Sequence, residues 1–220
     1  MKSPGSTKPA RAFTVFELLL VVFTLLLLLV LFGPGMFQRT QGTNCRVQCV
    51  NNLKQVGLCF RTFAIDNQDK FPMQVSVTNG GTMELIASGW VYPHFQILSN
   101  ELSTPVILLC PDDSSRTRAS SFSRNFDNRN ISYFIGIDAA NSSPQTILAG
   151  DDNLIVGGKY RKRGLMELGT NGPTVTWAPD RHESHGNLLM SDGSVQQVSD
   201  LRLSGFLRNS ASTPNRLLMP

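Results

Sequence analysis

The stretch from Phe13 to Phe37 constrains this chain more than any other, because it carries a single charge, Glu17. Within it, Leu18 to Phe32 is fifteen residues interrupted only by Thr24. About 20 apolar residues suffice to carry a helix across a bilayer, so Phe13 to Phe37 reads as a membrane span. Lys2, Lys8 and Arg11 precede it with no acid, which favours a cytoplasmic N-terminus and places the remainder outside. Glu17 is the anomaly. An acid at the centre of a span costs about 2.5 to 3.5 kcal/mol on insertion scales, and near one end somewhat less. Either Glu17 lies at the headgroups, as in a plain signal anchor, or it meets a cation at the same depth.

Beyond the span, Gly33-Pro34-Gly35 predicts a kink or a stop, since proline removes a backbone donor and crowds the preceding turn. Cys49/Val50, Leu53, Val56, Phe60 and Phe63/Ala64 then recur at steps of three and four among polar residues, the pattern of an amphipathic helix with one buried stripe. As one bent rod, Phe13 to about Asp66 would run on the order of 80 Å, so its second half must pack on a globular domain. Turn formers in "D-N-Q-D-K-F-P", Asp66 to Pro72, end it.

The rest reads as mixed structure. Met73 to Thr78, Val106 to Leu109, Ile131 to Ile137 and Thr146 to Leu148 are expected as short strands, and residues 82 to 104 as helical. "H-G-N-L-L-M-S-D-G-S-V-Q-Q-V-S", His185 to Ser199, predicts a hairpin turning at Asp192-Gly193. Asp200 is expected to cap a last helix with Leu201, Leu203 or Ser204, and Leu207 inward. The expected fold class is α+β, a long N-terminal helix packed on a small antiparallel head. Its segments are a leader (1–12), a transmembrane half-helix (13–37), an amphipathic half-helix (38–66) and an extracytoplasmic head (67–220).

Charge says little about partners. The net charge is +4, and without residues 1 to 12 the basic count falls from 20 to 17 against 16 acids, a net of +1. This argues against nucleic acid as a partner. Lys159-Tyr160-Arg161-Lys162-Arg163 is the one basic cluster left, suited to phosphate or to a solvated loop. The cysteines are Cys45, Cys49, Cys59 and Cys110. Cys45 and Cys49, four apart on a helix, have side-by-side Cβ vectors that suit a disulfide poorly. A bridge from the helix to Cys110, with Cys49 as candidate, and a set of buried thiols both remain open.

"D-R-H-E-S-H-G", Asp180 to Gly186, supplies His182, Glu183 and His185, which with Asp192 are capable metal ligands. The spacing H-E-x-H is one residue short of the H-E-x-x-H that sets two histidines on one helical face, so loop histidines are the default. Asp112/Asp113, Asp151/Asp152 and Asp66 with Asp69 offer oxygens to calcium, although none has the spacing of an EF-hand and turn formation is the simpler reading. No G-x-S-x-G, P-loop or dinucleotide fingerprint occurs, so no cofactor and no enzyme activity is expected.

Ala12-Phe13-Thr14-Val15-Phe16-Glu17 followed by the Leu/Val run resembles the prepilin cleavage motif of type IV pilins and type II secretion pseudopilins. "C-V-N-N-L-K-Q-V-G-L-C-F", "D-N-Q-D-K-F-P", "L-C-P-D-D" and "H-G-N-L-L-M-S-D-G-S-V" follow in the order of a major-pseudopilin-like group, so the resemblance covers most of the chain. It implies cleavage by prepilin peptidase between Ala12 and Phe13, N-methylation of Phe13, and Glu17 as the fifth mature residue, paired during assembly with a Phe13 ammonium. Ala12 stands where the family usually has glycine, a departure expected to slow processing. Pro34 falls where many pilins have a kinking proline. The implied partners are the peptidase, other pilin or pseudopilin subunits, an inner-membrane assembly platform and membrane lipid. The implied location is the inner membrane, single-pass, with a periplasmic head. The opposing reading is a signal-anchored periplasmic metal-binding protein or hydrolase using His182, His185 and Asp192.

Overall fold

A computed structural model of the chain describes residues 14–160, 163–169, 172–209 and 215–220, with side chains 32–43 and 208–209 outside the description. The chain divides into two compact units, Met1–Thr43 and Asn44–Pro220. Helix α1, Val15–Asp66, is 52 residues long and continues without interruption through Gly33-Pro34-Gly35, so no stop occurs there.

In the unit Asn44–Pro220 the fold is α+β with two antiparallel sheets. Its strands are β1 (Tyr133–Gly136), β2 (Ile147–Asp151), β3 (Leu154–Val156), β4 (Lys159–Tyr160), β5 (Gly164–Leu168), β6 (Val175–Trp177), β7 (His185–Met190), β8 (Val195–Ser199) and β9 (Asn215–Met219). The larger sheet has the order β5-β9-β1-β2-β7-β8 and the smaller the order β4-β3-β6. Short helices α2 (Tyr92–Gln96) and α3 (Ser99–Leu102) precede the strands, and α4 (Asp200–Asn209) lies between β8 and β9.

The central strands are buried on both faces, and their alternation splits the core in two. Tyr133, Ile135, Leu189 and Leu218 join the α1 stripe, in which Cys49, Leu53, Val56, Phe60 and Ala64 are fully buried. Their neighbours Phe134, Leu188, Leu217 and Met219 face the other way, against Trp177 of β6 and Leu203 and Leu207 of α4. A register shift between Ile147 and Ala149 breaks the alternation, so Leu148 and Ala149 both face the α1 side.

Several expected elements differ. Met73 to Thr78 is not a strand: Pro72–Gln74 and Val77–Asn79 are 3-10 turns, the second capped by the Ser76 hydroxyl, which accepts from Thr78 N. Val106 to Leu109 is likewise replaced by a 3-10 turn, Pro105–Leu108, because Pro105 fixes its start and the Thr104 hydroxyl accepts from Val106 N. Residues 82 to 104 hold a 3-10 turn, Met83–Ser88, followed by α2 and α3.

The β7–β8 hairpin forms as its sequence predicts, with the four residues Ser191, Asp192, Gly193 and Ser194 between the strands. Gly193 N donates to Met190 O and Met190 N to Ser194 O, and only Gly193 takes the positive φ, +86°. Asp200 does not cap α4 as expected; its Oδ1 accepts from Trp177 N at 2.6 Å and ties α4 to β6. Leu201 is 96% exposed, so the inward face of α4 is Leu203 and Leu207.

Candidate functional site

Two regions carry the expected site residues. At the N-terminal end, Ala12 and Phe13 lie outside the described residues, and Pro34 is within α1 with its side chain outside them. Glu17 is described. Its Oε2 accepts from Thr14 N and Thr14 Oγ1, both at 3.0 Å, while Glu17 N donates to Thr14 Oγ1 at 3.3 Å. This is a capping box, the reciprocal arrangement that T-x-x-E favours at a helix start, and that spacing was legible in the sequence. Every large apolar side chain from Val15 to Leu31 is exposed, by 43% to 75%. Among the described residues no helix is long and apolar enough to cross a membrane; the expected span starts at Phe13, before them, and its side chains from residue 32 onward lie outside the description.

The second region is a buried charged network in the unit Asn44–Pro220. It joins four segments: α1, which brings Arg46 and Cys49; the loop Cys110 to Arg116; the end of β2 with Asp151 and Asp152; and the turn before β7 with Arg181 and His182. Arg181 reaches Asp113 at 3.2 Å and Asp152 at 2.6 Å, and Arg116 reaches the same two acids at 3.4 and 2.5 Å. Two guanidiniums thus face two carboxylates, which is how charges survive burial. Burial works against the Asp113 charge, yet Arg181, Ser115, Ser132 and Arg116 together hold its carboxyl below the usual range. Asp151 differs. Burial pushes it up to about 7, and Arg181 and the two bonds from Asn187, each 2.8 Å, only partly oppose this. Its Oδ1 is buried with no hydrogen-bond partner.

His182, Glu183 and Ser184 are three consecutive residues at positive φ, 52°, 54° and 61°. For L-residues this conformation costs roughly 1–2 kcal/mol each, so the surroundings must hold the turn. Asp112 Oδ2 accepts from His182 N at 2.8 Å, and Arg46 Nη2 donates to His182 O at 3.1 Å. The consequence is the placement of the imidazole. His182 Nε2 lies 3.2 Å from Cys110 Sγ and Nδ1 lies 3.3 Å from Asp112 Oδ2. Burial lowers the His182 pKa, with Asp112 acting the other way.

Cys110 forms a disulfide with Cys49, closing 61 residues of sequence separation at a Cα–Cα distance of 5.4 Å. Cys45 and Cys59 are free. The bridge ties α1 to the loop that carries Asp112 and Asp113.

The metal candidates do not converge. His182 is buried at the bridge, whereas His185 is exposed with Nδ1 2.9 Å from Glu183 O. Asp192 sits beyond the opposite end of β7, where its Oδ1 accepts from Ser194 N and its carbonyl from Arg61. Glu183 is 90% exposed and 3.7 Å from Arg46. Of the calcium candidates, Asp113 and Asp152 are engaged by arginines, and Asp69 accepts from Asn141. In the basic cluster Lys159 and Tyr160 are exposed, Arg161 and Lys162 lie outside the described residues, and Arg163 covers the Trp90 ring at 3.7 Å. Among the described residues, the group of potential ligands that does converge is Cys49, Cys110 and His182, with ligand atoms within 4.8 Å of one another. Arg181 and Asn187 had no local sequence signal, because their partners are 29 and 36 residues away. In comparisons with known proteins, the chain matches no family model, no curated protein and no solved structure.

Proposed function

We propose that this chain is a pilin- or pseudopilin-like structural subunit, cut by prepilin peptidase between Ala12 and Phe13 and assembled into a type II secretion pseudopilus or type IV pilus-like fibre. The observation that carries this reading is a helix apolar on all sides from Val15 to Leu31, with a lone carboxylate in its first turn. A helix of that kind is out of place in water and needs lipid or other helices around it. In the bilayer it anchors the subunit, with the N-terminus cytoplasmic and the head outside. In the fibre the same surface packs against neighbouring subunits.

Thr14 draws the Glu17 carboxylate toward the helix N-terminus, the end at which a cut after Ala12 would leave an ammonium on Phe13. In a water-poor bundle, opposite charges at that end attract far more strongly than in solvent, which favours one register of packing. The head's α+β form, with residues 44 to 66 of α1 laid on an antiparallel sheet, is compatible with a pilin-like subunit. Its disulfide suits an oxidising, extracytoplasmic compartment. The work is assembly, with a membrane platform and other subunits as partners. Glu17→Ala should abolish fibre formation while the isolated subunit keeps a folded head by circular dichroism; normal fibres from that variant would sink the reading.

A further inference from the structure

Three buried potential ligands meet where a strained turn presses a histidine against a disulfide, and nothing in the assembly role requires this. The ligand atoms of Cys49, Cys110 and His182 lie within 4.8 Å of one another, and all three residues are buried. His182 Nε2 points at Cys110 Sγ from 3.2 Å, although a disulfide sulfur is a weak acceptor. Its Nδ1 is buried without a hydrogen-bond partner and lies 3.3 Å from Asp112 Oδ2, within reach of a carboxylate of the kind that commonly orients the far nitrogen of a metal-bound imidazole. On the other side, Asp151 Oδ2 is 3.9 Å from Nε2, and Asp151 Oδ1 is buried without a hydrogen-bond partner. The backbone at His182, Glu183 and Ser184 is left-handed throughout, and this is what delivers the ring to the sulfurs.

We propose that, when the Cys49–Cys110 bond is reduced, Cys49, Cys110 and His182 bind a zinc-like divalent cation, so that one position in the fold alternates between a disulfide and a metal site. Two thiolates and an imidazole are the donor set that zinc prefers, and a thiol-rich set excludes calcium and magnesium. The chemistry balances with a dithiol as reductant. Its two sulfurs exchange in turn with the Cys49–Cys110 bond, delivering two electrons and two protons; the dithiol leaves as a disulfide and the protein keeps two thiols. Metal binding then expels the two thiol protons, and the two thiolates neutralise the dication while His182 enters neutral. Exchange with a small disulfide reverses both steps: it takes up the two electrons, leaves as a dithiol, re-forms the Cys49–Cys110 bond and releases the ion.

The test uses the full chain in detergent, in a Cys45→Ser/Cys59→Ser background that removes the two free thiols. The protein is reduced anaerobically with a phosphine, which takes oxygen from water and leaves no competing thiol, and is then titrated with cobalt(II). The expected result is one bound cobalt per chain with a thiolate charge-transfer band and tetrahedral d–d bands, displaced by zinc and absent from the oxidised protein. Changing the partner of a metal ligand typically costs about 10- to 100-fold in affinity, so His182→Ala is expected to weaken binding by at least about 100-fold. Should the reduced protein lose its circular dichroism signal, recovery on adding cobalt supports the site and no recovery overturns it. A reduced, folded protein that binds no cobalt overturns it, as does binding that is equal before and after reduction or unchanged in the His182→Ala variant.

Discussion

Thr14 and Glu17 close the first turn of α1 on each other: Glu17 Oε2 accepts from Thr14 N at 3.0 Å, and Glu17 N donates to Thr14 Oγ1 at 3.3 Å. The carboxylate therefore has a local task as a cap as well as the proposed one in assembly, and substitutions separate the two. Thr14→Ala is expected to cost the first turn about 1 kcal/mol, speeding amide hydrogen exchange at Glu17 and Leu18 by about fivefold in detergent. Glu17→Gln keeps an acceptor oxygen and removes the charge. It is expected to retain slow exchange yet fail to assemble; wild-type assembly of that variant would reduce Glu17 to a cap.

Arg181 holds two buried acids at once, Asp113 at 3.2 Å and Asp152 at 2.6 Å. Arg181→Met removes the cation and leaves excess negative charge among buried groups, so a loss of about 3–5 kcal/mol is expected in urea unfolding of the head. Arg181→Lys should recover little of it, because a single ammonium cannot reproduce a fork with one nitrogen on each carboxylate.

Two buried groups pull the pH dependence of stability in opposite directions. His94 is fully buried with Nδ1 2.6 Å from Thr82 Oγ1, and burial lowers its pKa to about 4 from an ordinary 6.5. Its contribution is whole above 6.5 and is lost as pH falls toward 4, since the unfolded chain takes up the proton first. Asp151, pushed up to about 7 from 3.8, contributes fully below 3.8 and loses that contribution as pH rises toward 7. Between about pH 4 and 6.5 the two slopes, each at most about 1.4 kcal/mol per pH unit, offset one another. Urea midpoints measured across this window should fall with rising pH in His94→Gln and climb with rising pH in Asp151→Asn. Identical profiles for the two variants would contradict the assignment.

Gly186, in the "H-G-N" that opens β7, lies against the Trp177 ring, where an added Cβ would come within 2.5 Å of the aromatic carbons. Gly186→Ala is expected to destabilise the head by about 1–3 kcal/mol and to alter the fluorescence of Trp177, which is otherwise 2% exposed. A variant with unchanged urea midpoint and spectrum would show that the ring moves aside without cost.

What could be read along the chain is what nearby residues decide. The α1 stripe from Cys49 to Ala64 follows from spacing alone, and the β7–β8 hairpin follows from apolar runs around Asp192-Gly193. The run Val106 to Leu109 misleads because its β-branched content argues for a strand, while Thr104 and Pro105 close a 3-10 turn at its start. Strand β9 gave little signal; "N-R-L-L-M", between Pro214 and Pro220, has too short an apolar run to mark a strand and is fixed by pairing with β1 and β5, far away in sequence. The site follows the same rule. His182 was visible as a reactive residue type, but its contact with Cys110 spans 72 residues and depends on a backbone turn that no propensity favours. Glu17 was visible as an anomaly, while its cap by Thr14 was present in the spacing and is distinct from the charge pairing proposed for it.

Intact mass and N-terminal sequencing of the protein isolated from membranes test the assembly reading most directly. A chain that begins at Phe13 and is one methyl group heavier than the unmodified sequence from that residue is the expected result. A chain that keeps residues 1 to 12, or one cut beyond Val30, would contradict it.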